Sequence, residues 1–373
     1  MKLLYVVNKI DGRGGLNRIA FDKINYLIDF FDIDIVFYGD EHNKPFYEVD
    51  SRVKFHPIKV DALSSYGKKF LFAWKAFREY RQLLKIIKPD IIINMNVNLL
   101  SWLIPFVGRS IPKIIELHQS FDGVKIFNEN TYGKDSWKGK FSFFLRDTVY
   151  PKYDKVVVLT HTDMKKWGYR NMMVIPNFTN MQSPTTTDVS QPYFLWCGRL
   201  SNQKGFDYLI SIWEEFCKQR TDWKLVLIGK FANKSPQQEK KFESFLERNQ
   251  GTVDYVPETT DMDSYYNKAA IYISTSRYEG LPLCLIEAAT KGKPIIGFDI
   301  TGNDEVVSNN ETGILVDSYN IHSFTEAMLR LCKDVETRKK YSQAAFQKAK
   351  IFNKESIMQS WLTLFRTIKQ QKV

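Results

Sequence analysis

The chain has 373 residues, 44% of them hydrophobic and 25% charged, with a formal net charge of +11, which is too long for one comfortable core and fits two domains. Its four cysteines, Cys197, Cys217, Cys284 and Cys332, are scattered and form no CxxC pair, which argues against zinc or a disulfide framework and for a reducing compartment. The opening MKLLYVVNKID is too weakly apolar for a signal peptide, and no run approaches the ~18 apolar residues of a spanning helix. The expectation is a cytoplasmic protein, soluble or peripheral on the inner face of the cell membrane.

Along the chain, short β-branched runs alternate with segments of helical period, the pattern of βα units around parallel sheets. The first half offers strands at 2–8, 34–39, 90–96, 112–118, 154–160 and 172–177. The Thr-, Ser- and Pro-rich segment 178–192 reads as an interdomain linker. The alternation then restarts, with strands at 193–198, 223–229, 252–256, 270–275, 294–299 and 313–316. The fold class is therefore α/β, two Rossmann-like doubly wound domains facing a central cleft: 1–180, and 181–353. The terminal segment 354–373 has helical spacing (Ile357, Trp361, Leu364, Phe365, Ile368) and is expected to pack back onto the first domain. In such folds ligands bind at the carboxyl ends of the strands.

Three stretches carry chemistry. DGRGGLNR (11–18) follows the first strand, and its glycines let backbone N–H groups approach phosphates at a helix N-terminus. The dinucleotide fingerprint fails, because its third glycine falls at Asn17. CGRLSNQKG (197–205) places Arg199 and Lys204 on a loop at a strand's carboxyl edge, where two cations can clamp a diphosphate and take the place of a metal. RYEGLPLCLIEAATKGKPIIGF (277–298) sets two carboxylates eight positions apart. Pro282 suits the first turn of a helix over 282–291 that Gly292 ends. Glu279 then lies beside the free N–H groups of Leu283 and Cys284, and Glu287 sits inside an otherwise apolar helix. A carboxylate there is costly unless it finds donors, and ribose hydroxyls are donors. A hydrolase pair is disfavoured, since eight helical residues span ~12 Å and retaining hydrolases hold their carboxylates ~5–5.5 Å apart.

These motifs resemble a known family. EGLPLCLIE, with KGKPIIGFD, TGNDEVV and ETGILV after it, is similar to the E-x7-E region of the family 4 retaining glycosyltransferases of bacterial cell-surface glycans. GRLSNQKG is similar to that family's G-R-L-x-x-x-K-G element, and GRGGLNR to its glycine loop. The resemblance implies the GT-B fold, with the acceptor bound mainly by the first domain and a nucleotide-sugar by the second. It implies that Arg199 and Lys204 hold the diphosphate, Glu279 binds donor-sugar hydroxyls and Glu287 grips the ribose. Gly14 and Gly15 approach the phosphates or the sugar, and His118 matches a histidine near the transferred sugar. Two departures stand out: Pro282 where many relatives have glycine, and Gln119 after His118 instead of an acidic residue.

The Asp-x-Asp patterns DID (32–34) and DMD (261–263) imitate the metal site of a different glycosyltransferase fold. The first leads into a strand and the second reads as a helix cap, so no essential metal and no cofactor are expected. Residues 1–180 hold 28 basic and 19 acidic groups, against 25 and 23 in the remainder. Within the first half, 68–88 shows an apolar stripe (Phe70, Trp74, Phe77, Tyr80, Leu84, Ile87) and a basic one (Lys75, Arg78, Arg81, Lys85, Lys88). That basic face suits anionic lipid headgroups, with aromatics added by 99–107 and 137–146; no nucleic-acid-binding module is recognisable. The reading is a retaining transferase of a hexose or N-acetylhexosamine from a nucleotide-diphospho-sugar, a UDP-sugar first, to a glycan or polyprenyl-diphosphate-linked acceptor. A nucleotide-sugar epimerase and a non-catalytic partner subunit are its alternatives.

Overall fold

The computed structural model describes residues 1–59, 66–95, 99–184, 187–231 and 235–371. It divides into two compact units, Met1–Asn177 with Glu355–Val373, and Phe178–Lys354.

Among the described residues the first unit is built on seven strands: β1 (Lys2–Val6), β2 (Asp32–Tyr38), β3 (Lys54–Ile58), β4 (Ile91–Asn94), β5 (Lys113–Leu117), β6 (Lys155–Val158) and β7 (Met172–Val174). They pair in the order β3-β2-β1-β4-β5-β6-β7, every neighbouring pair parallel. Leu3, Leu4, Tyr5 and Val6 are all buried, as a strand covered by helices on both faces requires. Strand β3 has no counterpart among the expected strands, because KFHPI carries Pro57, which demotes a run to an edge position. An edge is where the sheet places it. The C-terminal helix Lys354–Gln370 buries Trp361, Phe365 and Ile368. It belongs to this unit through an edge-to-face contact of Phe365 with Phe31 and a Lys369–Asp90 ion pair of 2.6 Å.

The helix Tyr66–Ile87 departs from the expected stripe. Ala76, Tyr80, Leu84 and Ile87 turn inward while Trp74 is 60% exposed; Phe70 lies outside the described side chains. Lys75, Arg78, Arg81, Lys85 and Lys88 are exposed. A six-residue stripe fits several rotations of a helix, and only the sheet beneath selects one.

The second unit has six strands among the described residues: β8 (Tyr193–Cys197), β9 (Lys224–Ile228), β10 (Val253–Val256), β11 (Ile271–Ser274), β12 (Ile295–Phe298) and β13 (Gly313–Val316). Their order is β10-β9-β8-β11-β12-β13, again all parallel. Its separate core gathers Phe194, Trp213, Phe216 and Trp223 with Phe324 and Met328. The segment expected to be a linker is instead part of this unit. Phe178 and Val189 are buried, the buried Arg338 donates to the Val189 carbonyl at 2.8 Å, and Lys293 donates to the Asp188 carbonyl at 2.8 Å. Polar composition signalled a loop, but buried lysine and arginine side chains needed its carbonyls as partners.

Candidate active site

In each unit the first strand has neighbours on both sides that leave in opposite directions, so the chain turns away from a point at the carboxyl ends. In the second unit this switch point lies between β8 and β11. The loop after β8 carries Arg199 and Lys204, and the loop after β11 carries Glu279 and enters the helix Leu283–Thr290. Sheet pairing thus brings together residues 75 positions apart. Lys204 Nζ lies 2.6 Å from Glu279 Oε1, and Ser276 Oγ donates to that same oxygen at 2.7 Å. Burial pulls the Lys204 ammonium down, but the Glu279 carboxylate outweighs it and holds the group above the usual lysine range.

A second layer welds the two loops. Trp196 Nε1 donates to Thr275 Oγ1 at 3.1 Å, and the Thr275 hydroxyl donates to the Lys204 carbonyl at 3.0 Å. Arg277 grips Asp207 through both guanidinium nitrogens at 2.7 and 2.6 Å, and its N–H donates to the Gln203 carbonyl at 2.8 Å. Gly205 caps the helix Phe206–Cys217 in the left-handed region, φ 62°. Arg199 itself is exposed, with Gln203 Oε1 3.4 Å from its Nη2. Thr275, Ser276 and Arg277 were not singled out from the sequence, although they flank Glu279; nothing in a single chain separates such residues from an ordinary strand-end loop.

Pro282 is the N-cap of the helix and not its first residue. The first helical bonds run to its carbonyl from Leu285 and Ile286, so the N–H groups of Leu283 and Cys284 precede the helical ladder. Glu279 was expected beside them, yet its carboxylate turns to Lys204 and Ser276, since an ammonium outcompetes neutral donors. Glu287 is only 4% exposed, with the Tyr266 hydroxyl 3.0 Å from Oε2. Cys197 lies 3.5 Å from the Tyr272 hydroxyl. Its thiol is raised by a hydrogen bond with Cys284 and by burial. That same bond lowers Cys284, against burial and with help from Lys204.

In the first unit the switch point lies between β1 and β4. The glycine loop follows β1 and opens the helix Gly15–Leu27, with Gly14 as its N-cap. Asn17 Nδ2 pins the loop by donating to the Lys9 and Gly12 carbonyls at 2.9 and 3.1 Å. Gly14 has an ordinary φ of −85°, and a Cβ built there meets nothing within 4 Å. His118 follows β5, its Nε2 3.2 Å from Glu116 Oε2.

The Asp-x-Asp patterns have structural partners. Asp34 pairs with His56 at 2.5 Å, and Asp261 caps a helix by accepting from the Ser264 N–H at 3.2 Å. Among the described residues no cluster of three His, Cys, Asp or Glu side chains could hold a metal ion, and no helix is long and apolar enough to cross a membrane.

Residues 177–348 match the family model described as glycosyl transferases group 1. The amylovoran biosynthesis glycosyltransferase AmsD of Erwinia amylovora is 28% identical over 96% of this chain and 98% of that protein. A Campylobacter jejuni relative, named as an alpha-1,4-N-acetyl-D-galactosaminyltransferase acting on a PP-undecaprenol-linked glycan, is 22% identical over 99% of both chains. The solved structure of Anabaena HepE in complex with UDP-glucose superposes with a TM-score of 0.75 at 16% identity, covering 98% of this chain and 100% of that one. With two parallel-sheet Rossmann-like units, this chain has the GT-B fold, and its match to the glycosyl transferases group 1 model spans most of the second unit.

Proposed function

We propose that the chain is a retaining glycosyltransferase that moves a hexose or N-acetylhexosamine from a UDP-sugar to a lipid-linked cell-surface glycan. The observation that carries the donor half is the part-buried Lys204–Glu279 pair, set beside the N-terminus of the helix that holds Glu287. An ammonium and unpaired N–H groups together suit a diphosphate. In this reading a phosphate takes over Lys204 and frees Glu279 to accept from sugar hydroxyls, while Glu287 accepts from the ribose. Departure of the nucleoside diphosphate is stabilised by Arg199, Lys204 and the helix N-terminus. The acceptor hydroxyl attacks the same face of the sugar, and the departing phosphate takes its proton. No metal is required, because the cations do its work. The UDP-glucose complex of a protein of the same fold and the two bacterial glycan relatives support this reading.

The acceptor half rests on surface chemistry. Besides the exposed cations of the helix Tyr66–Ile87, the helix Trp137–Val149 exposes Trp137 at 71%, Phe141 at 50% and Phe144 at 63%. These positions are i, i+4 and i+7, one face of a helix, and Lys138 and Lys140 are exposed beside them. Aromatics flanked by lysines fit the interface of an anionic bilayer, where a polyprenyl-linked acceptor resides. Co-sedimentation with vesicles containing phosphatidylglycerol is expected for the wild type. It is expected to fall at least about tenfold for the triple variant Trp137→Ser/Phe141→Ser/Phe144→Ser. Equal binding by the variant would remove this helix from the membrane reading.

Calorimetric titration with UDP, GDP and ADP, without added metal, tests the donor half. Selective binding of UDP is expected. Selective binding of GDP or ADP would replace the UDP assignment while keeping the clamp. Binding of none would overturn the donor site.

A further inference from the structure

Behind His118 lies a charged pair in the deepest part of the first unit. Glu116 and His118 alternate along the chain at the end of β5 and therefore point to the same face. Lys23 reaches that face from the glycine-loop helix. Its ammonium contacts both Glu116 oxygens, at 2.6 and 2.5 Å, with side-chain exposures of 3% for Lys23 and 2% for Glu116. The ammonium also sits 4.0 Å from the centroid of the Trp361 ring, on the C-terminal helix, and 5.8 Å from that of Tyr5. Three segments distant in sequence thus meet at one carboxylate, whose Oε2 is also the partner of His118 Nε2.

Stability alone does not account for this arrangement. Two ions this deeply buried each lose several kcal/mol of hydration, and apolar residues of the same volume hold such a place as well or better. Burial raises the Glu116 carboxyl, but Lys23 and His118 more than reverse it, so the carboxylate stays charged at the back of the imidazole. A carboxylate on one ring nitrogen determines which nitrogen carries the proton and which way the ring faces.

We propose that Glu116, itself held by Lys23 and the Trp361 face, is a positioning residue that locks His118 in its Nε2–H tautomer with Nδ1 free to face the reaction. The inference rests on the reading of His118 as a residue of the reacting site. Glu116 touches no substrate; it acts through the ring.

Nitrogen-15 spectra of labelled histidine, with the His118 signal assigned by its loss in His118→Ala, read the tautomer directly. The wild type is expected to show Nε2–H, and an Nδ1–H ring would overturn the proposal. Two double variants neutralise the buried pair without leaving one ion alone. Lys23→Met/Glu116→Gln keeps an acceptor for Nε2–H and is expected to retain tautomer and turnover. Lys23→Met/Glu116→Leu removes it, and is expected to mix the tautomers and lower kcat for UDP release from the UDP-sugar roughly tenfold to a hundredfold, with donor KM unchanged. Wild-type kcat in a folded Leu variant overturns the positioning role, as does a collapse of kcat in a folded Gln variant. Wild-type turnover by His118→Ala would overturn the role of His118 and this proposal together, and UDP titration tells that result apart from failure of the donor site.

Discussion

Lys204→Ala is expected to lower kcat/KM for nucleoside diphosphate release from the donor by roughly a hundredfold to a thousandfold, mostly in kcat. The magnitude is that of deleting one donor aimed at developing charge in a water-poor site, and the leaving diphosphate gains charge as the glycosidic bond breaks. Glu287→Ala is expected to act differently. A hydroxyl contact remote from the reacting carbon binds ground state and transition state alike, so its loss raises donor KM and spares kcat. Lys204→Ala also leaves Glu279 buried with Ser276 as its remaining partner, which costs stability. Thermal melts must therefore accompany the kinetics. Lys204→Ala/Glu279→Gln removes that complication, and its turnover should be no better than that of the single variant. Folded Lys204→Ala protein with wild-type turnover would sink the clamp.

Gly205→Ala is expected to destabilise the second unit by at least about 3 kcal/mol. Two costs add. The residue sits at φ 62°, where an L side chain pays about 1–2 kcal/mol. A Cβ built there would also lie 1.8 Å from the Thr275 carbonyl oxygen, and backbone at a buried strand end cannot yield as a flexible side chain would. Relief requires the loops after β8 and β11 to part, which breaks the Thr275–Lys204 bond and separates Lys204 from Glu279. Loss of stability and loss of nucleotide binding should therefore appear together. An unchanged urea midpoint would show that the two loops are not tied as described.

The glycines illustrate what was readable in advance. Gly205 and the Arg199–Lys204 loop stood out as a motif, but that the glycine exists to let Thr275 approach was invisible without the sheet. Strand identity was legible almost throughout, because fully covered parallel strands are continuous β-branched runs; β3 escaped because proline is tolerated at an edge. The helix with Glu287 was legible from its apolar run, and its proline at the border was displaced by one position.

The local pattern of the chain determined its elements: twelve of the thirteen short strands among the described residues, alternating helices, and the residue types of the loops at the carboxyl ends. What it could not determine were the partners. Lys204 and Glu279 lie 75 residues apart and Lys23 and Glu116 lie 93 apart, and each pair exists only because a particular strand order places its elements side by side. The rotation of the helix Tyr66–Ile87, the burial of Phe178 and Val189 in the second unit, and the aromatic ridge from Trp137 to Phe144 belong with them. Period and propensity are properties of neighbours along the chain, whereas burial and charge pairing are properties of neighbours in space, which packing alone selects.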